Sequence, residues 1–274
     1  MKDNNCEHPV YTGETEKEKF ENLLKLQNAW KEQISTKSDI LFPDDGKKYP
    51  TAEYFCYDGF FPGYFSHKKK VLFIGRETRG GSGQNFIELS INFFANENVN
   101  GKSSPFWYKV LCMLYGIQHG IQHKRKVPYE DVPYVDSIAK EMGKNKDYGF
   151  AVMQLSKYSN DSSEGGIRNI EMINRFLEDS ELNKRNFFQE ELSLLDPDII
   201  ITANIWDCGV KDEYLEQFFP EDKFKSWQRD EVNNNYGDFE LNGKIVKIIN
   251  TYHFSSRKSR KDCFYDPVMN ILFN

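Results

Sequence analysis

Four short apolar runs divide this chain, and each ends in polar residues or glycine. They lie at Val71–Ile74, Phe150–Met153, Ile199–Ile201 and Ile245–Ile249. A short run rich in β-branched residues and bounded by turn residues is typical of a strand buried on both faces, as in a parallel sheet. We therefore predict four main strands, near residues 71–75, 150–155, 198–203 and 245–250.

Segments with apolar residues at helical spacing separate these strands. The pattern Thr15-x-x-Glu18 resembles a capping box and predicts a first helix over about 16–35. Ser104-Pro105 predicts another helix start, because proline is favoured at the first helical position. Further helices are predicted near residues 86–94, 132–142, 167–177, 186–195, 214–219 and 265–272.

A hairpin precedes the last predicted strand. Asn242-Gly243 favours a type I′ turn between two strand patterns, 239–241 and 244–250. Strands that alternate with helices indicate an α/β fold. We predict a three-layer α/β/α sandwich with a central, mostly parallel four-stranded sheet. One domain should cover 1–274, with 1–66 as a helical, loop-rich cover and 67–274 as the core sandwich.

Composition excludes several classes of protein. Aromatic residues make up 15% of the chain, which argues against disorder. There is no run of about 18 apolar residues and no apolar signal core at the start, so we predict a cytoplasmic protein without a membrane span. The five cysteines are scattered without a Cys-x-x-Cys pair, so we predict no metal and no cofactor. We also predict a monomer.

The charge distribution is uneven. A formal net charge of −6 disfavours non-specific binding to nucleic acid, which requires clustered Lys and Arg. Basic residues nevertheless cluster at Lys68–Lys70, Lys124–Lys126 and Arg257–Lys261. We predict that the first and last of these clusters form one positive face around a ligand pocket.

Candidate chemistry follows the first predicted strand, in the segment Gly75–Gly81. In open α/β sheets, ligands bind beyond the carboxyl ends of the strands. This segment contains Arg76, Glu77 and Arg79 together with three glycines, which allow the backbone to approach a ligand closely. The alternative is a strand-to-loop turn in which Glu77 pairs with an arginine.

Four segments, in this order, resemble motifs of the uracil-DNA glycosylase superfamily. They are Gly75–Thr78, Val152–Lys157, the helix-Pro-strand segment Glu191–Thr202, and His253–Ser256. The chain differs from the family pattern at three positions. The family usually has proline where Thr78 stands, asparagine at Gln154 and proline at Phe254.

The resemblance implies roles in cleaving the bond between a base and its sugar. Glu77 would activate a water molecule or stabilise positive charge on the sugar, and Arg76 and Arg79 would keep it ionised. Gln154 would read a base edge, and His253 would donate a hydrogen bond to the departing base. The other implied substrate contacts are Gly75, Phe86 as a stacking platform, Lys157, Ser255, Ser256 and Arg257.

Three functions stay open on the sequence alone. The first is a uracil-DNA glycosylase-like hydrolase acting on a flipped-out base in single- or double-stranded DNA. The second is a non-catalytic protein of the same fold that binds nucleic acid or another nucleobase-containing ligand. The third is a small-molecule hydrolase or transferase that uses the same edge of the sheet.

Overall fold

The computed structural model describes residues 11, 14–37, 40–41, 48–49, 51–142, 146–160 and 170–274. These residues contain eight α-helices: α1 (Glu14–Ser35), α2 (Phe86–Asn96), α3 (Pro105–His123), α4 (Val135–Glu141), α5 (Ile170–Asp179), α6 (Phe187–Leu195), α7 (Asp212–Phe218) and α8 (Asp266–Phe273). All eight predicted helices are therefore present, with shifted ends. The predicted start of α5 lies outside the described residues.

Nine strands lie in the same part of the chain: β1 (Ile40–Leu41), β2 (Lys48–Tyr49), β3 (Gly59–Phe60), β4 (Val71–Arg79), β5 (Ala151–Asn160), β6 (Ile199–Ala203), β7 (Phe224–Arg229), β8 (Asn235–Leu241) and β9 (Lys244–Thr251). Strands β1 and β2 pair only with each other, and the remaining seven form one sheet in the order β3-β5-β4-β6-β9-β8-β7. Neighbours among β5, β4, β6 and β9 are parallel, whereas β3, β8 and β7 pair antiparallel.

The prediction of a four-stranded sheet is wrong, because the sheet is mixed and has seven strands. The four predicted strands exist and form its parallel centre. Strand β3 has only two residues, and β7 has the largely exposed sequence FKSWQR, so neither carries the apolar signal of a buried strand. The predicted hairpin is confirmed, since Asn242 and Gly243 both have the positive φ of a type I′ turn.

Helices cover both faces of the sheet. One apolar cluster joins the sheet to α1, α5, α6 and α7, and the other joins it to α2, α3, α4 and α8. The chain is therefore an α/β protein with three layers. Among the described residues, no helix combines the length and the apolar character that crossing a membrane requires.

Local signals set several helix ends. Asn85 caps α2 through its side-chain oxygen, which accepts hydrogen bonds from the N–H groups of Ile87 and Glu88. Proline occupies the first position of α3, as predicted. The capping-box prediction is wrong, because α1 begins at Glu14 and Thr15 therefore lies inside its first turn.

A buried ionic cluster of Gln27, Asp58, Lys157 and Glu191 ties one helical layer to the sheet. Nζ of Lys157 lies 2.6 Å from Oδ2 of Asp58 and 2.8 Å from Oε2 of Glu191. Nε2 of Gln27 donates hydrogen bonds to Asp58 Oδ1 at 2.9 Å and to Glu191 Oε1 at 2.6 Å. The cluster therefore joins α1, the segment before β3, β5 and α6. Gln27 and Asp58, which precede residue 67, are thus part of the core.

We expect Lys157→Met to lower the free energy of unfolding by about 3–5 kcal/mol, because it leaves two buried carboxylates without their cation. Urea denaturation would measure this change. Lys225→Met is a matched control, since Lys225 forms a pair with Glu240 at 2.8 Å on the solvent side of the sheet. Exposed pairs contribute little, so the control should unfold like the parent. Equal losses in the two variants would contradict the assignment.

Candidate active site

The carboxyl edge of the parallel strands contains the natural crevice of this fold. Along the chain, β5 is added on one side of β4, and β6 is then added on its other side. The strand order therefore reverses between β4 and β6, which is where ligands bind in open α/β sheets. The candidate residues at the ends of β4 and after β9 lie along this edge.

Gly75 and Gln154 are direct neighbours in the register of β4 and β5. A Cβ atom placed on Gly75 would overlap Oε1 of Gln154, so the amide lies directly against the glycine backbone. Gln154 is only 3% exposed, and its Oε1 accepts no hydrogen bond from any described residue. An unsatisfied buried acceptor costs about 1–3 kcal/mol. Oε1 of Gln154 is thus a fixed, buried acceptor for which the described residues supply no donor.

Glu77 lies two residues beyond Gly75 and therefore on the same face of the sheet. Its side chain is 6% exposed, and Oε1 accepts a hydrogen bond from Nη2 of Arg79 at 3.4 Å. Its register neighbour on β5 is the buried Ser156. Glu77 thus lies at the carboxyl edge near Gln154, as the site prediction requires. It also pairs with an arginine, as the alternative prediction requires.

Arg76 faces the opposite side of the sheet, since adjacent residues of a strand alternate. It is buried and donates hydrogen bonds to two carbonyl oxygens at the end of β6, those of Ala203 at 3.2 Å and Asn204 at 2.9 Å. Asn204 has a φ of 54°, in the left-handed region. Arg76 therefore fixes the turn after β6 on the other side of the crevice, rather than lying beside the Glu77 carboxylate.

Lys157 is not brought to the site. Its side chain is completely buried in the ionic cluster, on the face covered by α1 and α6. Burial opposes its charge, but the carboxylates of Asp58 and Glu191 outweigh that effect and raise the pKa of Lys157. A substrate contact by Lys157, which the family motif implied, does not fit this position.

His253 follows β9, which is separated from β4 by β6 alone. Two strand spacings amount to about 10 Å, a span that a single base can bridge. Nδ1 of His253 accepts a hydrogen bond from the N–H of Ser255 at 3.2 Å, which leaves the proton of the neutral ring on Nε2. The ring can therefore donate a hydrogen bond from Nε2, as the proposed contact to a departing base requires.

The rest of the His253 loop is anchored below its surface. Phe254 is fully buried, with its ring centroid 5.9 Å from that of Phe73 and 5.4 Å from that of Phe106. Ser255 is exposed, whereas Oγ of Ser256 is buried and has no hydrogen-bond partner among the described residues. Phe254, at the position where the resembled motif usually has proline, thus packs the loop against the sheet.

Lys109 is a functional candidate that sequence reasoning missed. Its Nζ donates hydrogen bonds to the carbonyl oxygens of Phe254, at 2.7 Å, and Ser256, and it lies 4.5 Å from the ring centroid of Phe264. Burial, with a smaller contribution from Arg260, lowers the pKa of Lys109 to about 8. The sequence signal that could have identified it is the position of a lysine on the apolar face of α3. Lys109 positions the loop that carries His253.

Phe86 stacks on Trp107, with the ring centroids 5.4 Å apart and the planes 22° apart. One face of the Phe86 ring is therefore covered by protein, and a base could stack only on the other face.

Four cavities of about 590–710 Å³ lie elsewhere, and none of these four is lined by Glu77, Gln154 or His253.

No protein-family model, curated protein or solved structure matches this chain. The resemblance to the uracil-DNA glycosylase superfamily therefore rests on the four sequence motifs and stays a prediction. Within the described residues, no group of three or more His, Cys, Asp or Glu side chains is placed to hold a metal ion.

The prediction that two basic clusters form one positive face is wrong. Lys68–Lys70 precede β4, whereas Arg257–Lys261 follow β9, and the two strands run in the same direction. Lys68–Lys70 therefore lie at the amino ends of the parallel strands, whereas Arg257–Lys261 lie at their carboxyl ends. Lys261 is moreover paired with Asp266, and the Arg260 guanidinium lies 4.4 Å from the ring centroid of Tyr108. Arg257 and Lys258 remain as exposed cations near the candidate site.

We expect Lys109→Met to loosen the His253 loop, because two carbonyl oxygens lose their donor. The free energy of unfolding should fall by about 1–3 kcal/mol. Hydrogen exchange of the Ser255 and Ser256 amides should accelerate more than that of β4. Lys102→Met, which removes an exposed lysine near the start of α3, is the control. Equal exchange in the two variants would argue against a positioning role for Lys109.

Proposed function

We propose that this chain is a uracil-DNA glycosylase-like hydrolase that cleaves the N-glycosidic bond of a base flipped out of DNA. The observation that carries the proposal is the Gln154 amide. It is held against Gly75 with an unsatisfied oxygen, on the same face and at the same sheet edge as Glu77. An amide with one free acceptor is suited to reading an N–H on the edge of a base.

The spacing along β4 agrees with a base and its sugar lying side by side. Glu77 is two residues beyond Gly75, which corresponds to about 7 Å along a strand. A base held by Gln154 would thus place its sugar near the Glu77 carboxylate. That carboxylate would stabilise an oxocarbenium-like transition state or orient a water molecule. His253 would approach from the β9 side and donate from Nε2 to the leaving base.

A non-catalytic protein that binds nucleic acid or a nucleotide is the second candidate. The ion pair between Glu77 and Arg79, together with the low exposure of Glu77, favours it. In that case Gln154 would still read a base, but Glu77 would serve to hold Arg79 in place. The two candidates differ in whether an abasic site is formed.

We expect Glu77→Gln to raise the barrier to base excision by about 2–4 kcal/mol, because the transition state loses an electrostatic contact. Affinity for the oligonucleotide should change much less, since the ground state carries no matching positive charge. The assay uses oligonucleotides with uracil and other altered bases, followed by cleavage at abasic sites. Glu97→Gln, at an exposed glutamate after α2, is the matched control.

His253→Ala should also slow excision while leaving binding largely intact. Excision that survives Glu77→Gln unchanged would remove Glu77 from the mechanism. Base-dependent binding without any excision by the parent protein would support the non-catalytic candidate instead.

We expect the double reversal Arg257→Glu/Lys258→Glu to weaken binding to DNA. The slope of log affinity against log salt concentration should also fall, by the amount expected for about two lost phosphate contacts. Filter binding or anisotropy at several salt concentrations would measure both. The double reversal Lys68→Glu/Lys124→Glu changes the total charge equally, but it lies beside a different cavity that includes His67. Equal effects of the two double variants would show that total charge, not the site, controls binding.

A further inference from the structure

A cavity of about 590 Å³ adjoins β7, which is one edge of the sheet. Four aromatic side chains line it: Trp206, Phe219, Phe224 and Trp227. Trp206 lies in the loop after β6, and Phe224 and Trp227 belong to β7 itself. The cavity shares no lining residue with the candidate active site.

The aromatic rings form one continuous surface. The ring centroid of Trp206 lies 5.1 Å from that of Trp227 and 5.3 Å from that of Phe219. Phe224 and Trp227 are 4.9 Å apart. Trp227 is 41% exposed, whereas the core residue Trp30 is fully buried. Trp206 and Phe224 are half-buried, and Phe219 is buried. A large aromatic side chain exposed like that of Trp227 is typical of a recognition surface rather than of the core.

Four of the other five lining residues are acidic, namely Asp212, Glu213, Glu216 and Glu221, and the fifth is Leu215. None of the lining residues is basic. Glu213 lies 3.8 Å from Lys211, and Glu216 accepts a hydrogen bond from the N–H of Glu221. Neither Asp212 nor Glu221 forms an ion pair with a residue that the structure describes. Four carboxylates thus lie beside the aromatic rings, and only that of Glu213 forms an ion pair with a described cation.

From this combination we propose that the cavity binds a small organic cation, such as an alkylated ammonium. A cation with an apolar surface is attracted both by aromatic ring faces and by carboxylates. A neutral ligand would use only the rings, and a hard metal ion only the carboxylates. An anionic ligand would be repelled. The proposal does not depend on the chemistry proposed for Glu77.

The test titrates choline into ¹⁵N-labelled protein and follows the tryptophan indole N–H signals by NMR. The signals of Trp206 and Trp227 should shift. The signal of Trp30 should not, because its Nε1 donates to Ser180 inside the core. The same titration with 3,3-dimethylbutan-1-ol, a neutral analogue of the same shape, isolates the effect of the charge.

Variants then separate the rings from the carboxylates. Trp227→Leu should weaken choline binding about tenfold, by removing one cation–π contact. Asp212→Asn/Glu221→Gln should weaken it several-fold and reduce its sensitivity to salt. Asp222→Asn/Glu231→Gln is the matched control for charge, since it also removes two negative charges, at exposed residues outside the lining. An unchanged Trp30 signal shows that each variant is folded.

Two outcomes would overturn the proposal. One is that choline causes no saturable shift of the Trp206 or Trp227 signal. The other is that the neutral analogue binds as tightly as choline, which would make the surface merely apolar. Binding that Asp222→Asn/Glu231→Gln weakens as much as Asp212→Asn/Glu221→Gln would assign the effect to total charge and would also refute the site.

Discussion

The ion pairs of Lys157 are the constraint on which the layers of this molecule depend. An ammonium group buried without partners would be too costly, so the carboxylates of Asp58 and Glu191 must approach it from two other elements. Two carboxylates around one lysine would leave an excess negative charge. Burial and the neighbouring Asp58 raise the pKa of Glu191, which favours its neutral form and reduces that excess. The balanced cluster then fixes α1 and α6 against β5.

The same cluster orients the candidate site on the other face of the sheet. Oδ2 of Asp58 accepts a hydrogen bond from the backbone N–H of Gln154 at 2.6 Å. This contact fixes the backbone of β5 where the Gln154 side chain must lie against Gly75. Lys157 of the buried cluster and Gln154 of the candidate site therefore belong to one strand. Their roles differ because successive side chains point to opposite faces.

Strand alternation and direction also explain what sequence reasoning could and could not predict. The apolar runs predicted the four parallel strands and, through them, the position of Glu77 at the carboxyl edge. Gln154 and Lys157 are three residues apart in one strand, so they cannot face one site, although both belong to one motif. The prediction of one positive face was wrong for a similar reason, since its two basic clusters flank opposite ends of parallel strands. Lys109 required tertiary structure, because its two acceptors lie about 145 residues away in the chain.

Two unfavourable features lie side by side where β4 meets β5, a glycine within a central strand and a buried acceptor without a donor. Together they favour a ligand-binding role for this position over a purely structural one. A glycine within a central strand weakens the strand, because it has high conformational freedom and no side chain to pack. Here the missing side chain makes room for the Gln154 amide, yet the amide oxygen gains no hydrogen bond from any described residue. An apolar pair at 75 and 154 would fill the same space without an unsatisfied acceptor. Sequences tend to break local rules in this way where a ligand supplies the missing contact.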